Sequence, residues 1–85
     1  MIHVAYTPSF VRQTKILEAS VFEGVVRKIG LFKNPKNHKM LKVHKLHGRL
    51  KNCHAFSVNR HVRVIFEYVG KSEALLHNIG GHEIY

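Results

Sequence analysis

The sequence predicts an α+β domain: a small antiparallel β-sheet with two N-terminal helices packed on one face, in the order β-α-α-β-β-β. Three observations lead there. Residues 21 to 32 repeat their apolar positions every three or four residues, as an amphipathic helix does. Residues 56 to 68 alternate apolar with polar, as half-buried strands do. The helical segments come before that alternation instead of interleaving with it, which is the grouping of α+β chains. Eighty-five residues leave room for one hydrophobic core, so residues 1–85 read as a single domain.

Ile2 to Tyr6 alternates and carries β-branched or aromatic residues, which predicts a first strand. Thr7-Pro8 reads as a helix start. The Thr7 hydroxyl can accept a backbone N–H, and Pro8 at the first helical position gives up a donor that has no partner there anyway. This helix is expected to run to about Leu17. In the second helix Val21, Phe22, Val25, Val26, Ile29 and Phe32 make one apolar stripe. Gly24 within it costs about 1 kcal/mol, and Asn34-Pro35 ends it. Further on, Phe56, Val58, Val62, Val64, Phe66 and Tyr68 hold even positions, while Ser57, Asn59, His61, Arg63 and Glu67 hold odd ones. Two strands that both turn their even residues to the core need an odd loop between them. An Asn59-Arg60-His61 turn then sets Val58 opposite Val62 and Ser57 beside Arg63. Gly70-Lys71-Ser72 reverses the chain into a strand from Ala74 to Ile79, which Gly80-Gly81 breaks. Lys36 to Leu50 is the least regular stretch, with a short strand expected around Val43 to Leu46. One face of the sheet stays free of helices, and the odd-numbered polar residues lie on it.

Hydrophobic residues make up 45% of the chain and charged ones 22%, which supports a folded core and excludes long disorder. No apolar run reaches the ~20 residues of a membrane helix. Met1-Ile2-His3-Val4 lacks the basic start and apolar stretch of a secretory signal, so a cytoplasmic protein without membrane partners is expected. Cys53 is the single cysteine and supports neither an internal disulfide nor a CxxC zinc site. His44-x-x-His47 has no third ligand at supporting spacing, so no metal is expected. The charge is more telling. Fourteen Lys and Arg against five acids give +9, and no acid stands between Arg27 and Arg63. Repulsion at that density favours a polyanionic partner, either nucleic acid or an acidic protein.

Four blocks, Lys42-Val43-His44-Lys45-Leu46-His47-Gly48-Arg49-Leu50-Lys51, Phe56-Ser57-Val58-Asn59, Val62-Arg63-Val64-Ile65-Phe66-Glu67 and Leu75-Leu76-His77-Asn78-Ile79-Gly80-Gly81-His82-Glu83-Ile84-Tyr85, follow one another in order between residues 42 and 85. Together they resemble the RelE/ParE toxin superfamily, and within it the YafQ-like branch. The resemblance implies a RelE-like fold and a toxin of a type II toxin–antitoxin system. Such a toxin is an mRNA endonuclease (mRNA interferase) that works in the ribosomal A site and is silenced by an acidic cognate antitoxin. The reaction class needs no cofactor. The ribose 2′-OH attacks the adjacent phosphorus, with a base for its proton, cations for the growing phosphorane charge and an acid for the leaving 5′-oxygen.

Within those blocks the resemblance assigns residues. His44 stands where the YafQ-like branch has a catalytic histidine, and acts either as acid or base or as a surface imidazole on phosphate. His82, in Ile79-Gly80-Gly81-His82, resembles the histidine that such enzymes use in proton transfer. Arg63 falls where superfamily RNases carry an arginine for the scissile phosphate, a role suited to its planar fork of donors. The other reading of Arg63 is an ion pair with Glu67 or Glu73. Tyr85 resembles a C-terminal aromatic that positions substrate, or else frays. His61 departs from the family's aspartate but keeps proton-transfer capacity. Ser57 replaces a further histidine, with His54 nearby where relatives carry tryptophan. Lys42, Lys45, His47, Arg49, Lys51, His54 and Arg60 are expected to bind RNA through phosphate and base contacts. His3, His38 and His77 have structural readings. Two other functions fit the same fold: a ParE-like DNA gyrase poison without nuclease chemistry, and a catalytically degenerate nucleic-acid-binding protein.

Overall fold

The computed structural model describes residues 1–84, with His82 through its backbone only. The chain forms β1 (His3–Tyr6), α1 (Pro8–Thr14), α2 (Ala19–Phe32), β2 (His44–Lys45), β3 (His54–Ser57), β4 (Arg63–Gly70) and β5 (Glu73–Gly80). Short 3₁₀ turns occupy Pro35–Asn37, Gly48–Leu50 and His82–Ile84. The strands make one sheet in the order β1-β5-β4-β3-β2, and the two helices cover one of its faces. This is the α+β arrangement that the pattern of periods predicts, with one difference. β1 runs parallel to β5, through His3↔Glu73 to Tyr6↔Leu76, so the sheet is mixed. β1 leaves the sheet through the helix pair, with no hairpin to force reversal.

α1 starts as its sequence dictates. The Thr7 hydroxyl accepts the N–H of Phe10 at 3.1 Å, with Pro8 at the first helical position. It ends at Thr14, three residues before the expected Leu17. The Thr14 hydroxyl bonds back to the Val11 carbonyl at 2.7 Å, and Lys15 donates to Arg12 three residues back. Those bonds tighten the last turn and stop its propagation. On α2, Val25, Ile29 and Phe32 are buried, but Phe22 and Val26 remain 44% and 55% exposed. The apolar stripe is wider than the surface it covers. Phe32 is the hub of the core. Its ring stacks on Phe56 at 4.7 Å and on His38 at 4.8 Å, and meets the edge of Phe66 at 4.7 Å.

The β3–β4 hairpin keeps the expected register, with Ser57 opposite Arg63 and the Val58 N–H bonded to Val62 O at 2.9 Å. Asn59 shapes the loop, its Oδ1 accepting the N–H groups of both His61 and Val62 at 2.8 Å. Tyr68, expected in the core, is exposed at the far end of β4, where its ring meets His54 and Phe66 edge-on.

β5 departs from simple alternation. Ile65 pairs with Asn78 and Phe66 with Leu76, so His77 is an extra residue in a β-bulge. The ladder with β1 ends at Leu76, and side chains of α1 take over its hydrogen bonds. Thr7 Oγ1 donates to the His77 carbonyl at 2.9 Å, and Gln13 Oε1 accepts the Ile79 N–H at 2.8 Å. The bulge is pinned from the helix side, which gives partners to backbone groups that the ladder leaves unpaired and partly buried.

Candidate nucleic-acid interface

Where β3 turns into β4, a pocket of about 380 Å³ opens between α2, residues 40 to 42 and the hairpin. Lys28, Lys42, Arg60 and Arg63 line it together with Ser57 and Asn59, and no carboxylate does among the described residues. Arg63 opens β4 in register with Ser57 on one side and Gly80 on the other. It is half-buried on the face away from the helices, and its Nη1 donates to the Arg60 carbonyl at 3.3 Å. That bond orients the guanidinium without neutralising it. The ion pair with Glu67 or Glu73 that sequence alone left open is not formed: Glu67 instead accepts from His77 Nε2 at 3.0 Å.

Lys42 sits at the rim with φ +58°, a left-handed backbone that a side chain with a Cβ adopts at a cost of about 1–2 kcal/mol. Two neighbours hold it there. Leu41 is buried, and its carbonyl accepts the Ser57 N–H at 2.9 Å, tying this segment to β3. The turn also brings the Lys42 carbonyl to 2.8 Å from His44 Nδ1. A carbonyl only accepts, so Nδ1 carries the proton and, in the neutral ring, Nε2 keeps its lone pair. No described group bonds to that nitrogen. His44 is exposed on β2 opposite Ala55, which pairs with Ile65. The register therefore puts His44 and Arg63 on the same sheet face, in adjacent rows.

His61 is exposed in the hairpin loop. The turn after β5 lies against it: a Cβ on Gly81 would stand 3.4 Å from the His61 carbonyl. The Gly81 N–H donates to Glu83 Oε1 at 2.8 Å, and His82 follows at the start of the last 3₁₀ turn. The His82 side chain and all of Tyr85, both named from the sequence as catalytic, lie outside the described residues.

The other residues expected to bind RNA do not converge on the pocket. Lys45 alternates with His44 and pairs with His54, so both belong to the opposite face. With Lys51 they line a separate pocket near Tyr68. The His54 ring lies on Phe66 at 5.6 Å and meets Tyr68 at 4.9 Å, with its Nδ1 buried and unpartnered. Burial, then the charges of Lys45 and His44, lower its pKa. It is a core-edge aromatic. His47 is exposed ahead of the Gly48–Leu50 turn, and Arg49 faces the Glu67–His77 pair. Lys28 belongs to the pocket but was visible in the sequence only as part of the basic run. Its helical position, two residues from Val26 and so on the other flank of α2, is the signal that selects it.

No family model matches the sequence, and no curated protein matches it. Solved structures do match in shape. The DinJ–YafQ toxin–antitoxin complex of E. coli aligns over 98% of this chain and 94% of that one, with a TM-score of 0.76 and 15% identity. The YoeB–YefM complex of Staphylococcus aureus covers 96% and 98%, at 0.75 and 10% identity. The YoeB/ParE toxin of Agrobacterium tumefaciens covers 96% and 99%, at 0.70 and 15% identity. Two helices on a five-stranded, mostly antiparallel open sheet, in this order and over almost the full chain, are the fold of the RelE, YafQ, YoeB and ParE toxins.

Proposed function

We propose that this chain is the toxin of a toxin–antitoxin pair and cleaves messenger RNA in the cytoplasm, on the ribosome, by 2′-OH attack on the scissile phosphate. The observation that carries the reading is the acid-free pocket of Lys28, Lys42, Arg60 and Arg63 beside an imidazole whose tautomer is fixed. The cations bind the phosphate, and Arg63 offers two parallel donors to its oxygens as charge builds on them. His44 Nε2 takes the 2′-OH proton. The O2′–P bond forms and the P–O5′ bond breaks, leaving a 2′,3′-cyclic phosphate. O5′ takes a proton from an acid, a role given to His82 by the sequence resemblance. His61 and Tyr85 are assigned support of the substrate on the same grounds. An acidic antitoxin segment laid over the pocket silences it by occupying the cations that RNA needs; neighbours of the same fold are seen as toxin–antitoxin complexes.

The test is a translated messenger incubated with purified protein. The expected products end in 2′,3′-cyclic phosphate, and Arg63→Ala slows their formation by roughly 10²–10³-fold. His44→Ala slows it by a factor of roughly 10² or more. No cleavage, or cleavage indifferent to both substitutions, rejects the reading. Inhibition of gyrase supercoiling that survives both substitutions would favour the poison instead.

A further inference from the structure

Four residues along β4 from Arg63, about 13 Å at ~3.3 Å per residue, the same sheet face changes character. Glu67 is the only acid between residues 24 and 72. Its side chain accepts from His77 at 3.0 Å. The β-bulge is what brings them together. Leu76 and Ile79 both point into the core, so the extra residue leaves His77 and Asn78, consecutive in sequence, between them on the outer face. Those two side chains, with Glu67, Asn52 and Arg49, rim a pocket of about 310 Å³, and Leu50 and the buried Ile65 contribute apolar surface to it. Thr7 and Gln13 hold the bulge from behind, so the rim is fixed in place.

A pocket with some apolar lining and a polar rim can take an unstacked nucleobase, and a carboxylate in the rim selects among bases. An ionised carboxylate only accepts hydrogen bonds. Guanine alone among the four bases sets two donors side by side on its Watson–Crick edge, N1–H and the 2-amino group. Adenine and cytosine put a ring acceptor beside their amino group, and uracil flanks its single N–H with two carbonyls; each would turn a lone pair toward Glu67. The carboxylate sets this pocket apart from the Arg63 end, whose described charged lining is cationic alone. The Glu67 charge reaches into the pocket: together with burial, which is the larger cause, it pushes the Cys53 thiol pKa up.

From this geometry we infer that the Glu67–His77–Asn78 pocket takes a guanine base of the RNA strand whose phosphate is held at Arg63. His77 orients the carboxylate through Oε1, and the amides of Asn52 and Asn78 meet the remaining base edge. The inference rests on the RNA reading above. It adds a base preference to a site whose cations alone are indifferent to sequence.

The test measures binding of short single-stranded RNAs by fluorescence anisotropy at fixed salt, using an all-adenine oligonucleotide, the same with one guanine, and the same with inosine, which lacks the 2-amino group. Wild type is expected to bind the guanine oligonucleotide roughly tenfold more tightly than the all-adenine one, with inosine between. Glu67→Gln brings the guanine-to-adenine ratio to about one, whereas Arg63→Ala weakens binding of all three and keeps the ratio. Inosine probes the contact in the unaltered protein, so the result does not hinge on the variants' folding. Equal, salt-sensitive binding of all three RNAs by wild type overturns the base pocket and leaves the RNA reading standing. No binding of any RNA overturns both. Guanosine monophosphate bound as tightly as the guanine oligonucleotide overturns the RNA assignment in favour of a free nucleotide.

Discussion

Helix α2 divides two concave surfaces that share a backbone and little else. On one flank Lys28 joins Lys42, Arg60 and Arg63 around the hairpin pocket. On the other, Phe22 and Val26 face Tyr6, Phe10 and Val11 across a groove of about 200 Å³ that is almost wholly apolar. The first spends electrostatic stability, since like charges gathered without an acid repel one another. The second leaves unburied apolar area that would stabilise the fold by about 25 cal/mol per Å² if covered. Neither surface serves the isolated chain's stability. In a domain of this size the core is Phe32 and its neighbours, and both flanks are held in place by it.

That comparison can be broken or sharpened by substitution. The largest effect is expected from Phe32→Ala, which removes the ring shared by Phe56, Phe66 and His38. A loss of about 3–5 kcal/mol is expected in urea denaturation. A smaller loss would mean that the two flanks are supported separately. Lys42→Gly acts on the charged flank alone. Removing the left-handed strain is expected to raise stability by up to about 1 kcal/mol, while one fewer cation weakens RNA binding and lowers its salt slope by roughly one. A loss of stability with unchanged binding would contradict the reading of that residue.

A third measurement concerns pH. The His54 imidazole titrates below its ordinary range because it is buried, with Lys45 and His44 nearby. The unfolded chain, whose histidines titrate near about 6.5, therefore binds protons more readily than the folded one. The share of stability that depends on neutral His54 is present above about pH 6.5 and is lost as pH falls from there through the folded-state value. The melting temperature of wild type is expected to drop between about pH 7.5 and about pH 5.5 more than that of His54→Phe, which also removes the unpartnered buried nitrogen. Equal drops would place the acid-sensitive group elsewhere. The smallest effect belongs to the apolar flank. Val26→Ser, at a position already 55% exposed, is expected to change stability by less than about 0.5 kcal/mol. A larger cost would show that the groove closes in solution.

The hairpin of β3 and β4 was legible because strand parity is strict. Once Phe56 to Tyr68 had to bury its even residues, the loop length and the Ser57–Arg63 neighbour pair followed. The same parity, applied to the short strand at Val43 to Leu46, separates His44 from Lys45, so the basic residues expected to bind RNA do not share one face. The bulge at His77 was not legible. Leu75-Leu76-His77-Asn78-Ile79 contains no glycine or proline to mark it, and what fixes it is a pair of hydrogen bonds from Thr7 and Gln13, some sixty to seventy residues away. The width of the α2 stripe misled for a related reason. Periodicity gives the face that is apolar, while the share of it that is buried depends on how much sheet lies beneath.

The parallel seam between β1 and β5 bears on when the domain can finish folding. The partner of residues 3–6 is residues 73–76, so during synthesis the first strand waits, unpaired, until some seventy further residues have emerged. Local hairpins and helices are free to form early, but the sheet's far edge and the anchor on β5 close last. A domain built this way completes its sheet only after residues 73–76 have left the ribosome, however early its helices and hairpin have formed.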